Sequence, residues 1–154
     1  KPIYFVTGNH EYYISSYKKK LDQLVNFRIK ILDNKCSLID DINLIGLSDN
    51  QSPNEQSNKF FQLIDESKYN LLLVHKSSIW HHVKEHVDLM LSGHTHNGQI
   101  FPFNFLVRLQ FKYKYGLYKN ESSYLCVSSG SGCWGPRMRL GTANEIINIS
   151  LHPQ

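Results

Sequence analysis

The chain has 154 residues, 41% of them hydrophobic and 19% charged, with a formal charge of +4 at pH 7. This is the composition of a globular chain long enough for one hydrophobic core, not that of a disordered one. No apolar run approaches the ~20 residues of a membrane-crossing helix, and no long basic run or reader motif indicates nucleic acid.

In chain order, Ile3–Thr7 reads as a buried strand that ends in a Gly-Asn turn. Residues 14–25 carry helical spacing, with Lys18–Lys20 on a solvated face. Phe27–Leu32, Cys36–Ile39 and Ile42–Leu47 read as short strands, joined by turns at Asp33-Asn34 and Asp40-Asp41. Asn54–Glu66 reads as a helix and Leu71–Val74 as a fully apolar strand running into His75. Ser78–Glu85 follows as a short helix, then Val87–Leu91 as a buried strand leading into Ser92-Gly93-His94. Tyr124–Ser128 and Glu145–Leu151 are the last two predicted strands. Strands that are apolar throughout predict an α/β fold, a mixed β-sheet sandwich flanked by helices on both sides. The three cysteines, Cys36, Cys126 and Cys133, are too widely spaced for a disulfide framework or zinc ribbon, so two buried thiols and one loop thiol are expected.

Polar residues stand where three strands stop: Asn9-His10, His75 and His94–His96. In open α/β sheets ligands sit beyond the carboxyl ends of the strands. Gly8 permits a tight turn, Asn9 offers a neutral carbonyl oxygen to a cation, and His10 offers a proton to an anion. In Gly93-His94-Thr95-His96 two imidazoles stand one residue apart and can reach two metals about 3.5–4 Å from each other.

Gly8-Asn9-His10-Glu11, His75 and Gly93-His94-Thr95-His96, in this order, resemble the last three motifs of the calcineurin-like metallophosphoesterase family. Ser92–Ile100 resembles a bacterial branch that reads Ser-Gly-His-Thr-His-Gly-Gly-Gln, and the likeness continues through Val127–Gly132, Trp134–Gly141 and Glu145–Ile147. The resemblance implies metal-dependent hydrolysis of a phosphodiester or pyrophosphate by a dinuclear centre with a bridging hydroxide. Asn9, His75 and His94 would ligate one metal and His96 the other. His10 would protonate the leaving oxygen or stabilise charge on the transferring group, and Glu11 would orient His10 or a neighbouring ligand. The implied cofactors are two divalent ions, Mn2+ first, with Fe, Zn or Mg as alternatives.

The family's two earlier motifs, Asp-x-His and Gly-Asp-x-x-Asp, are absent, since only seven residues precede Gly8. Residues 1–154 are therefore expected to be the C-terminal portion of one metallophosphoesterase domain, binding metal weakly and hydrolysing poorly alone. Association through a sheet edge left open by the missing strands is expected. The alternative is a non-catalytic scaffold that has lost its ligands. The resemblance also implies a membrane-anchored or extracytoplasmic parent. Ser77 and Asn97 depart from the Pro and Gly that the family often carries at these places.

Three further features have less specific readings. His81, His82 and His86 read as a solvated helix face, because no Glu stands beside His82 as a zinc protease would need. Arg137 and Arg139 alternate, face one side at strand spacing, and can meet a phosphate or pair with a carboxylate. Phe101–Tyr118 mixes seven Phe, Leu and Val side chains in its first eleven positions with Arg108, Lys112 and Lys114. It reads either as ordinary core packing or as a lid that touches an acyl chain or membrane surface beside a lipid-linked phosphoester.

Overall fold

A computed structural model describes residues 1–152. In chain order the strands are β1 (Ile3–Phe5), β2 (Ile29–Ile31), β3 (Lys35–Ile39), β4 (Ile42–Leu47), β5 (Tyr69–Val74), β6 (Leu89–Ser92), β7 (Gly116–Asn120) and β8 (Ser123–Val127). The helices are α1 (Tyr17–Asn26), α2 (Pro53–Leu63), α3 (Trp80–Val83) and α4 (Phe103–Gln110). Six strands form one mixed sheet in the order β3-β4-β5-β6-β8-β7. Its four central strands are parallel, and the two edges pair antiparallel through hairpins.

Local chemistry explains several of these boundaries. α2 starts where Ser52 and Glu55 form a reciprocal capping box, with Pro53 in the first turn where a missing N–H costs nothing. β5 alternates half-buried and buried positions, so Leu72 and Val74 face the main core. Ile45, Leu47, Phe60, Leu72, Ile79, Trp80, Val83 and Met90 make up most of that core between the sheet and α2–α3. Removing such side chains from water at ~25 cal/mol per Å2 is the main force joining helix to sheet.

The fold is the expected α/β arrangement, a mixed sheet flanked by helices, with a second small sheet making up the other layer. β1 and β2 pair in parallel as a separate two-stranded sheet. They meet the second face of the main sheet at Gly46, where a Cβ would lie 2.4 Å from the Leu32 side chain and 2.8 Å from Val6. That face is therefore covered by strands, with α1 packed beyond them, rather than by a helix directly.

Residues 145–151 form no strand, contrary to the sequence expectation. Ile147, Ile149 and Leu151 alternate as a strand would, but each stays about 40% exposed, with no sheet edge beside it to complete a ladder. β7, which begins within Phe101–Tyr118 and runs past its end to Asn120, is a strand that the sequence reading does not assign. Among the cysteines only Cys126 is buried; Cys36 and Cys133 are exposed, because β3 is an edge strand and Cys133 lies in a loop. His81, His82 and His86 are exposed, as a solvated face requires. No helix among the described residues is long and apolar enough to cross a membrane.

Candidate functional site

β5 and β6 are parallel neighbours, so their carboxyl ends present His75 and the Gly93–Gln99 loop side by side. The amide of Gly93 donates to the carbonyl of His75 at 3.0 Å and ties the two ends together. β1 delivers Asn9 from the other layer. Its end is fixed by Asp33, which accepts from the Thr7 amide at 2.8 Å and from the Thr7 hydroxyl at 2.7 Å. Gly8 packs flat against the His75 ring, where a Cβ would lie 2.8 Å from ring atoms. Glu11 accepts from the Gly8 amide at 2.7 Å, so its carboxylate holds the turn that presents Asn9 rather than the His10 ring.

The result is a triangle of three atoms that can offer a lone pair. His75 Nε2 lies 2.9 Å from Asn9 Oδ1, His94 Nδ1 lies 3.2 Å from the same oxygen, and the two ring nitrogens are 3.0 Å apart. Burial pushes His75 down to about 3, helped by the nearby charges of His94 and Lys76. Burial pushes His94 down to about 4, helped by Lys76 and His96. Both rings are therefore neutral at pH 7, the form in which imidazole binds metal. Separations near 3 Å suit neighbouring ligands around an ion with bonds of ~2.0–2.1 Å. By donor type and spacing, the three residues fit a divalent cation.

His10 and His96 line the same cavity of about 200 Å3, together with Thr95, Val107, Phe111 and Trp134. His10 is exposed and packs its ring against Tyr13 at 5.4 Å. His96 is half-buried, and its pKa is lowered by burial and by the Arg139 charge. A second cavity of about 200 Å3 shares His94, Thr95 and Phe111 and is walled by Lys76 and Lys112. That gives the region a positive rim suited to an anion. A larger depression, about 300 Å3, opens among Glu66, Lys68, Lys84, Asp88 and Glu121 but gathers no comparable set of converging donors.

The Gly93–Gln99 loop is strained. His94, His96, Asn97 and Gln99 all take positive φ, between 45° and 70°. Each such non-glycine residue costs on the order of 1–2 kcal/mol, so the surroundings must hold the loop in place. Gln99 is wholly buried. Its amide nitrogen donates to Trp134 O at 2.8 Å and Pro136 O at 3.2 Å, and its amide oxygen accepts from Trp134 N at 2.8 Å. The Thr95 hydroxyl donates to the Lys114 carbonyl. Gly98, at φ +82°, sits where a Cβ would be 2.3 Å from Asn104 Cα.

Arg139 is part of this scaffold. Its guanidinium donates to the carbonyls of His96 at 3.1 Å, Ser129 at 2.7 Å and Gly132 at 2.7 Å, and to the His96 ring at 3.3 Å. Backbone carbonyls occupy its guanidinium, and no carboxylate among the described residues pairs with it. Arg137 is exposed. Sequence reading passed over Gln99 as a buried anchor and Trp134 as a cavity wall, since neither has a chemical signature apart from its tertiary neighbours. It also passed over Asp49, whose buried carboxylate accepts from Lys76 Nζ at 2.8 Å, Lys76 being the residue after His75. Burial raises the Asp49 pKa against the opposing Lys76 charge.

Among the described residues no group of three His, Cys, Asp or Glu side chains gathers to hold a metal; the triangle's third donor is an amide. No family model matches the chain, and no solved structure matches it. Among curated proteins it is 40% identical over 98% of its length to an uncharacterised metallophosphoesterase of Helicobacter pylori, covering 43% of that protein. It is 38% identical over 96% of its length to one of Campylobacter jejuni, covering 41%. It is 31% identical over 96% of its length to a transmembrane protein with metallophosphoesterase domain of Bos taurus, covering 38%. The chain thus spans less than half the length of these relatives.

Proposed function

We propose that this chain, similar over nearly its whole length to proteins named metallophosphoesterases, carries part of a dinuclear metal centre that hydrolyses a phosphodiester or pyrophosphate. The observation that supports this reading most is the convergence of Asn9 Oδ1, His75 Nε2 and His94 Nδ1 within 2.9–3.2 Å of one another. These three would hold one divalent ion, Mn2+ first by family resemblance, and His96 would contribute to a second. Bound ions would polarise the phosphoryl oxygens and lower the pKa of a water.

The chain's own residues supply the rest. Neutral His75 and His94 leave their lone pairs free at physiological pH. His10, an exposed residue lining the cavity, would give a proton to a leaving oxygen or hydrogen-bond a phosphoryl oxygen. Lys76 and Lys112 attract the anionic substrate to the rim. Gly8, Glu11 and Asp33 fix the strand end that carries Asn9 and His10.

His10→Ala in the full-length protein tests the acid assignment. Turnover of an aryl phosphodiester is expected to fall roughly 100-fold or more while bound manganese holds. Unchanged turnover would remove His10 from the chemistry. His75→Ala is expected to lower bound manganese, and retention of full metal content would overturn the ligand assignment. A non-catalytic scaffold is the second reading. It is favoured by the lack of any carboxylate in the cavity wall among the described residues, and absence of turnover in the metal-loaded full-length protein would select it.

A further inference from the structure

α4 follows the histidine loop and leans on it with one narrow stripe. Asn104, Val107 and Phe111, spaced three and four apart, are the half-buried positions. Val107 and Phe111 line the cavity, and the Phe111 ring lies 5.6 Å from that of His94. An amphipathic helix would carry polar side chains on its remaining surface. Here Phe103, Phe105 and Leu106 are 53–60% exposed and Leu109 is 85% exposed, with Phe101 beside them at 53%. No residue of α4 is buried. Contiguous exposed apolar side chains of this size mark a surface that meets something other than water.

Charge indicates what that is. Between Asp88 and Glu121 the chain has no acidic residue, while Arg108, Lys112, Lys114 and Lys119 fall in the same stretch. Arg108 and Lys112 are exposed next to the phenylalanines. Large apolar side chains flanked by cations, with no carboxylate among them, are the chemistry of a short segment lying in the interface of an anionic bilayer. A protein partner would more often be matched by a mixed rim of both signs. α4 has eight residues, too few to cross a bilayer, so its own contact would lie in the interface.

We propose that the outer face of α4, with Phe101, Phe103, Phe105, Leu106 and Leu109 as the inserted side chains and Arg108 and Lys112 at the headgroups, docks this protein on an anionic membrane surface. Val107 and Phe111 on the opposite stripe keep the cavity joined to that face.

Co-sedimentation of the full-length protein with phosphatidylcholine vesicles, with and without phosphatidylglycerol, tests this surface. Binding is expected to require phosphatidylglycerol. Phe103→Ser combined with Phe105→Ser should weaken it about tenfold or more, with melting temperature and manganese content unchanged. Arg108→Gln and Lys112→Gln should each weaken it roughly fivefold. Equal binding to neutral vesicles, no binding to anionic ones, or no change in the double phenylalanine variant would overturn the proposal. So would a dimer that the same phenylalanine variant dissociates, because a second copy would then be what covers the face.

Discussion

Gln99 and Leu109 lie ten positions apart, on either side of one turn, and the structure treats them in opposite ways. Gln99 is completely buried and makes three side-chain hydrogen bonds to the Trp134–Pro136 segment, anchoring a loop in which four non-glycine residues hold positive φ. Leu109 is 85% exposed on a helix with no fully buried residue. The polar side chain is inside and the apolar one outside, the reverse of what residue type alone predicts. A strained backbone persists only where its neighbours over-determine it, so the histidine loop draws in Gln99, Thr95 and Arg139 as braces. α4 has no such duty and keeps its apolar face free.

Breaking the braces should cost far more than altering the face. Gln99→Leu removes the side-chain partner of the Trp134 amide and carbonyl from a fully buried position, and about 3 kcal/mol of stability should be lost in urea unfolding. Gly98→Ala forces a Cβ against the Asn104 backbone at φ +82° and should cost about 2–3 kcal/mol. It should also lower manganese retention if the loop position governs the ligands.

A pH experiment tests the other end of the site. His75 and His94 have folded pKa values of about 3 and about 4, below the ordinary 6.5. Between those limits the unfolded chain binds more protons than the folded one, so stability falls as pH is lowered through 6.5. The metal-free protein should lose on the order of 2 kcal/mol between pH 7 and 5, discounting for the partial exposure of both rings. His75→Asn should flatten the slope of melting temperature against pH, and an unchanged slope would place the sensitivity elsewhere. The smallest effect should come from Leu109→Ser, within about 0.5 kcal/mol in the same unfolding measurement. A loss above 1 kcal/mol there would show that the helix face is covered in solution and would end the contrast with Gln99.

Much of the framework is legible in the sequence because local signals and burial agree. Ile42–Leu47 is apolar except at Asn43 and Gly46, is buried from Asn43 to Leu47, and forms a strand over the expected residues. β5 and β6 end where polar residues interrupt apolar runs, and Asn9, His10, His75, His94 and His96 meet at one cavity. The tail at 145–151 has an equally good alternating pattern and forms no strand, because a strand needs a neighbour to receive its backbone hydrogen bonds. β7 was missed for the converse reason: it is an antiparallel edge whose partner, β8, pulls it into the sheet.

The sequence by itself determined the α/β pattern and which polar side chains stand where the strands beside the cavity stop, since these follow from hydrophobic periodicity and residue type. Only the tertiary structure decided that Asn9 and His75, 66 residues apart, share an oxygen–nitrogen contact of 2.9 Å. It also decided that Arg139 serves backbone carbonyls and that α4 turns its phenylalanines to solvent. Those outcomes depend on which groups lie nearby in space once the chain has packed, and periodicity along the chain does not carry that information.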